Sequence, residues 1–159
     1  MKSALFIAVL LTRSAGAVAQ TETTCPWLTI GTAARMLGGD VTMTAHSTSN
    51  WDGSCAFIRT IAATSQTLEI LVGRDNTHPC PEGSQPVAAL GNEAVHCRRK
   101  TAKGEPQDTI AGRVRDVFFV VSITGASSEL PSSPESQRFD PNAASPLERV
   151  AEQVSGSLY

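Results

Sequence analysis

The chain has 159 residues, 13 basic and 15 acidic, with 41% hydrophobic and only 5% aromatic residues. That length suits one domain with a modest core. The mild acidic balance disfavours nucleic acid as a partner, because phosphate binding needs a clustered cationic face.

The N-terminus carries a three-part export pattern. Lys2 supplies the positive charge, Ala4 to Leu11 is an uncharged apolar run, and Ala17-Val18-Ala19 is an A-x-A cleavage site before Gln20. The run is shorter than the ~20 apolar residues a spanning helix needs. Residues 1–19 therefore read as a cleavable signal peptide and 20–159 as one secreted or periplasmic domain, with no membrane span after cleavage. Removing Lys2 and Arg13 leaves a net charge of about −4.

Cys25, Cys55, Cys80 and Cys97 all follow the cleavage site. An even cysteine count in a small exported domain reads as two disulfides, and the sequential pairing Cys25–Cys55 and Cys80–Cys97 is expected, each tying a loop to a nearby strand. Lipidation at Cys25 competes, but Glu22-Thr23-Thr24 lacks the apolar and small residues of a lipoprotein signal. A zinc site from His78, Cys80, His96 and Cys97 has suitable donors. Its spacing matches no standard ligand pair, and neighbours such as His96 and Cys97 point to opposite faces of a strand. Disulfides are preferred, and neither metal nor cofactor is assigned.

After the cysteine at 25, Thr29 or Thr32 can cap a short helix that ends at Gly38, with Ile30, Ala33, Ala34 and Leu37 on one face. Val41–Ala45, Cys55–Ile61 and Thr67–Val72 read as strands, the last with Leu68, Ile70 and Val72 inward. Trp51 sits in the polar turn between the first two, where it either covers the Cys25–Cys55 bridge or stands out as an anchor. Gly73 to Gly91 is loop-like, its prolines opposing regular pairing. Strand character returns at Glu93–Arg99, Thr109–Val114 and Val117–Ile123. The last is apolar on both faces, so it is expected to be central and covered on both sides. A faint echo links Cys55 and Cys97, each opening a strand ahead of a hairpin that ends in Gly73 or Gly125. Residues 130–144, with Pro131, Pro134 and Pro141, read as a surface loop. Ser145-Pro146-Leu147-Glu148 then starts a helix with a capping box, and Leu147, Val150, Ala151 and Val154 form its apolar stripe. The expectation is an α+β domain: a mostly antiparallel sheet of five or six strands, an N-terminal and a C-terminal helix packed on it, and two disulfides.

Cys25-Pro26-Trp27-Leu28-Thr29, the Ala33–Gly38 segment, and Gly53-Ser54-Cys55-Ala56-Phe57 together resemble small exported bacterial domains of unknown function. The opening is similar to actinobacterial lipoproteins with a Cys-x-Leu-Leu-Thr helix start. Leu90-Gly91-Asn92-Glu93-Ala94 and the Arg113–Val121 strand pair match the later part of that pattern. This chain departs from it in lacking a lipidated cysteine and in carrying a second cysteine pair. The resemblance implies an envelope or extracellular domain and brings no site residues.

Motifs for nucleophilic, phosphate or zinc chemistry are absent: there is no Gly-x-Ser-x-Gly, phosphate loop, His-Glu-x-x-His or Cys-x-x-Cys. His46, His78 and His96 are not paired in sequence with a nucleophile, and Arg98-Arg99-Lys100 reads as a solvated hairpin end. Three residues remain as binding candidates: Trp51, and Arg74 with Asp75 at the start of the long loop, where recognition residues tend to sit. The expected function is a non-enzymatic binding module for an extracytoplasmic protein or envelope polymer. The alternative is a small secreted hydrolase whose site is assembled around His96, which requires His96 within reach of a serine or carboxylate in a concave pocket.

Overall fold

A computed structural model describes residues 24–75, 79–125 and 144–159. The expected signal peptide, His78 and nearly all of the 130–144 loop lie outside those residues. The described chain forms helix α1 (Ile30–Leu37), strands β1 (Thr42–Ser49), β2 (Asp52–Ile61), β3 (Thr64–Gly73), β4 (Gln85–Pro86), β5 (Glu93–Lys100), β6 (Pro106–Val114) and β7 (Val117–Gly125), and helix α2 (Pro146–Gly156).

One sheet takes the order β1-β2-β3-β7-β6-β5-β4, antiparallel throughout. It has seven strands, not five or six. The addition is β4, inside the stretch read as too rich in proline to pair. Gln85 and Pro86 lie opposite His96 and Val95, and the Val87 amide donates to the Ala94 carbonyl at 2.9 Å. Pro86 is tolerated because β4 is an edge strand, where a missing N–H removes no inter-strand bond on its open side.

Two three-stranded meanders, β1-β2-β3 and β5-β6-β7, join through β3 and β7, with Leu68 opposite Ile123, Ile70 opposite Val121 and Val72 opposite Phe119. Gly73 and Gly125 close the third strands of the two meanders. Cys55, however, lies on the middle strand of the first, and Cys97 on the opening strand of the second, so the cysteines are not equivalent.

Cross-strand register fixes the faces of the sheet, because paired residues share a face. Ala45, Cys55, Ile70, Val121 and Ile110 form one such row, with Phe57, Leu68, Val72, Phe119 and Ile123 beside it. All are buried in a single cluster that also contains Ala33 and Leu37 of α1 and Leu147, Val150, Ala151 and Val154 of α2. Both helices therefore cover the same face. β7 is central as expected, yet its Phe118 and Val120 point to the other face and are only half-buried. On that face Ser122 and its β6 neighbours Thr109 and Ala111 are nonetheless buried, so the cover expected on both sides of β7 is present in part.

The helix signals act as read. The Thr29 side chain accepts from the Thr32 amide at 3.2 Å, and Gly38 ends α1 at φ 77°. Ser145 accepts from the Glu148 amide at 3.1 Å while the Glu148 carboxylate accepts from the Ser145 amide at 2.6 Å, completing the capping box. On the expected apolar face of α1, Ala33 and Leu37 are buried and Ala34 half-buried, while Ile30 is 51% exposed. Disulfides join Cys25 to Cys55 and Cys80 to Cys97, with Cα–Cα separations of 5.9 and 5.7 Å. That pairing leaves Cys25 no free thiol for lipidation and engages two of the four residues weighed as zinc donors.

Candidate functional site

The β1–β2 hairpin positions Trp51. Its closing pair is Ser49 and Asp52, with a register irregularity between Ser47 and Ser49. Side chains brace the turn from within. The Ser47 hydroxyl donates to the Ser49 carbonyl at 2.7 Å, the Thr48 hydroxyl to Asp52 Oδ2 at 2.9 Å, and the Trp51 amide to the Ser49 hydroxyl at 3.1 Å. Trp51 remains 39% exposed. The tryptophan that enters the core is Trp27, at 2% exposure, whose indole donates to the Asn50 carbonyl at 2.8 Å and ties the N-terminal segment to this turn.

Strand pairing then brings distant sequence together. Gly53 lies opposite Val72, so the start of β2 and the end of β3 are adjacent. Asp52 thereby meets Arg74 and Asp75, and with Ser49 and Trp51 they line a concavity of about 260 Å³. All three binding candidates of the sequence share this cleft. Asp52 and Asp75 also line a second concavity of about 120 Å³, floored by Leu71, Phe118 and Val120. Leu71 is 44% exposed. Arg74 Nε lies 3.6 Å from Asp116 Oδ2, with both side chains more than two-thirds exposed. An ion pair so hydrated adds little stability and leaves its groups able to exchange partners. The rim thus presents an aromatic face, carboxylate acceptors, a guanidinium and an apolar floor. Among the described residues none that lines either concavity is a histidine or cysteine.

His96 occupies a different region. It lies on β5 opposite Ile110, and Asp108 on β6 is its diagonal neighbour on the same face. His96 Nε2 and Asp108 Oδ1 are hydrogen-bonded, and Arg98 Nε lies 3.6 Å from the same oxygen. The carboxylate partner that a hydrolase would need is therefore present, and the hairpin register between β5 and β6 was the signal that could have found it. Among the described residues no serine, threonine or cysteine is hydrogen-bonded to His96, and the concavities at Trp51 and Leu71 lie elsewhere. Arg98-Arg99-Lys100 ends β5 on the surface, with Arg99 donating to Gln107 at 2.6 Å and to the Pro79 carbonyl at 3.2 Å.

A third concavity, about 720 Å³, runs beside β1 beneath the start of α1, lined by Leu28, Ile30, Met43 and Ala45 among others. Neither composition nor periodicity signals it, because it forms only where residues 24–30 come to lie beside β1. Among the described residues no helix is long and apolar enough to cross a membrane. No family model, curated protein or solved structure matches this chain.

Proposed function

We propose that the protein is an extracytoplasmic interaction module that engages a protein or envelope polymer through the rim cleft around Trp51. One observation carries the reading: a single concavity unites Trp51, Arg74 and Asp75 on a disulfide-held sheet. An exposed indole beside carboxylate and guanidinium groups is the composition of an interface anchor. Two disulfides fit an oxidising compartment outside the cytoplasm, in keeping with the export pattern at the N-terminus and with the resemblance to exported bacterial domains.

Titration of the oxidised protein with envelope polysaccharide fragments and with secreted proteins, followed by calorimetry, tests the proposal. A saturable partner is expected, with Trp51→Ala weakening it at least about tenfold. Binding unchanged by Trp51→Ala, or no saturation at about 1 mM, overturns it. The hydrogen bond between His96 and Asp108 favours a second reading, a small hydrolase. Turnover of fluorogenic esters or glycosides that disappears in His96→Ala would establish that reading instead.

A further inference from the structure

The two edges of the sheet are built differently. β4 is two residues long and includes Pro86, so it offers almost no template for another strand. β1 spans eight residues, Thr42–Ser49, with no Asp, Glu, Lys, Arg or Pro among them. Exported sheets ordinarily blunt an edge with charge, proline or brevity, since a strand pairs on one side only and leaves a row of open N–H and C=O groups. β1 has none of these protections apart from its irregularity near Ser47.

A sizeable concavity lies along that edge. Met43 and Ala45, on the helix-covered face, and Thr44 and His46, on the opposite face, all line it, so it follows the open side of the strand. Leu28 and Ile30 form the far wall. That wall is fixed in place, because the Cys25–Cys55 bridge and the Trp27–Asn50 hydrogen bond anchor its segment to the sheet. At about 720 Å³ it falls within the ~300–1,000 Å³ span of ligand pockets.

We infer that the β1 edge accepts an extended, uncharged peptide segment of a partner protein as an added strand, with alternate apolar side chains seated in the groove between β1 and α1. Charge selects this occupant. Among the described residues no Asp, Glu, Lys or Arg lines the groove. A charged strand would lose water there without gaining a partner, whereas an apolar one buries surface on both sides. Alternation follows from strand geometry, since every second side chain of an added strand faces the groove. A second copy, whose β1 is itself an uncharged strand opening Thr42-Met43-Thr44-Ala45, is the competing occupant, and β1 amides already protected in the free protein would reveal it. The inference does not depend on the Trp51 cleft.

The test uses the oxidised protein and an acetylated eight-residue peptide alternating Thr and Val, with two lysines appended beyond the paired segment for solubility. Its counterpart carries Glu in place of each Val. Fluorescence anisotropy measures affinity, and hydrogen exchange reads the amides of residues 42–49. The Val peptide is expected to saturate below about 1 mM and to slow exchange of the outward β1 amides at least about tenfold, while the Glu peptide does neither. Met43→Lys and Thr44→Lys should each weaken binding at least about tenfold, and Lys103→Ala, exposed on the β5–β6 turn, should leave it unchanged. Thr44 is exposed, so its variant tests the edge without disturbing the core. No saturation by about 1 mM, full binding in both lysine variants, or β1 amides already protected without peptide would each overturn the inference, the last by showing the edge occupied by this chain or a second copy.

Discussion

Removing one disulfide at a time separates the loop that a bridge closes from the place where it sits. Cys25–Cys55 spans 30 positions and Cys80–Cys97 spans 17. Chain entropy alone assigns about 3.6 kcal/mol to the first and about 3.1 kcal/mol to the second, a difference of only ~0.5 kcal/mol. Burial widens the gap. Cys55 is 1% exposed in the main core, paired across the strands with Ala45 and Ile70, whereas Cys97 is 8% exposed and lies outside that cluster on the opposite face. A serine at 55 strands a hydroxyl among apolar groups, adding ~1–3 kcal/mol. The Cys25→Ser/Cys55→Ser pair should therefore lose about 5–6 kcal/mol and Cys80→Ser/Cys97→Ser about 3–4 kcal/mol. Urea titration of the two variants and the parent, read by tryptophan fluorescence, gives both losses. The corresponding alanine pairs should narrow the difference, since they leave no buried hydroxyl. An equal or larger loss from the second pair would refute the argument from burial, and peptides linking Cys55 to Cys80 in digests of the unreduced protein would refute the pairing itself.

Two further perturbations test local packing. At Gly112 an added Cβ would stand 2.6 Å from the Phe119 ring and 2.8 Å from the Glu93 carbonyl, so Gly112→Ala should lower stability by about 1–3 kcal/mol in the same urea titration. Ser145→Ala removes the capping box of α2 and should cost about 1 kcal/mol, seen as a loss of helical circular dichroism at lower denaturant.

The legible parts of this fold are those written in short stretches of chain. Thr29 and Gly38 delimit α1, and Ser145 to Glu148 start α2, because caps and end signals act within one turn. Leu68, Ile70 and Val72 are buried as their alternation requires. The pairing of the cysteines could be read from their order and spacing. What escaped depends on register and layering. The apolar run Val117–Val121 says that both sides of β7 resist water, but not that only one side receives helices. The two-residue β4 is too short for any periodicity to mark it. Asp52 joins Arg74 and Asp75 only because Gly53 pairs with Val72, and Asp108 reaches His96 only through the β5–β6 register. Trp51, Arg74 and Asp75 could be singled out as loop residues, yet their convergence is a property of strand pairing.

The two disulfides divide the work at the two ends of the sheet. Cys80 lies just ahead of β4 and its bridge to Cys97 holds that segment against β5, where a short, proline-bearing strand ends the sheet. Cys25 is bound to Cys55 on β2, one strand in from β1, and so fixes the wall of the groove without covering the β1 edge. Both bridges restrain the unfolded chain; in the folded state one ties the segment before β4 to β5, and the other ties the segment beside β1 to β2. The groove, the β1 edge and the Trp51 turn follow one another along the same hairpin.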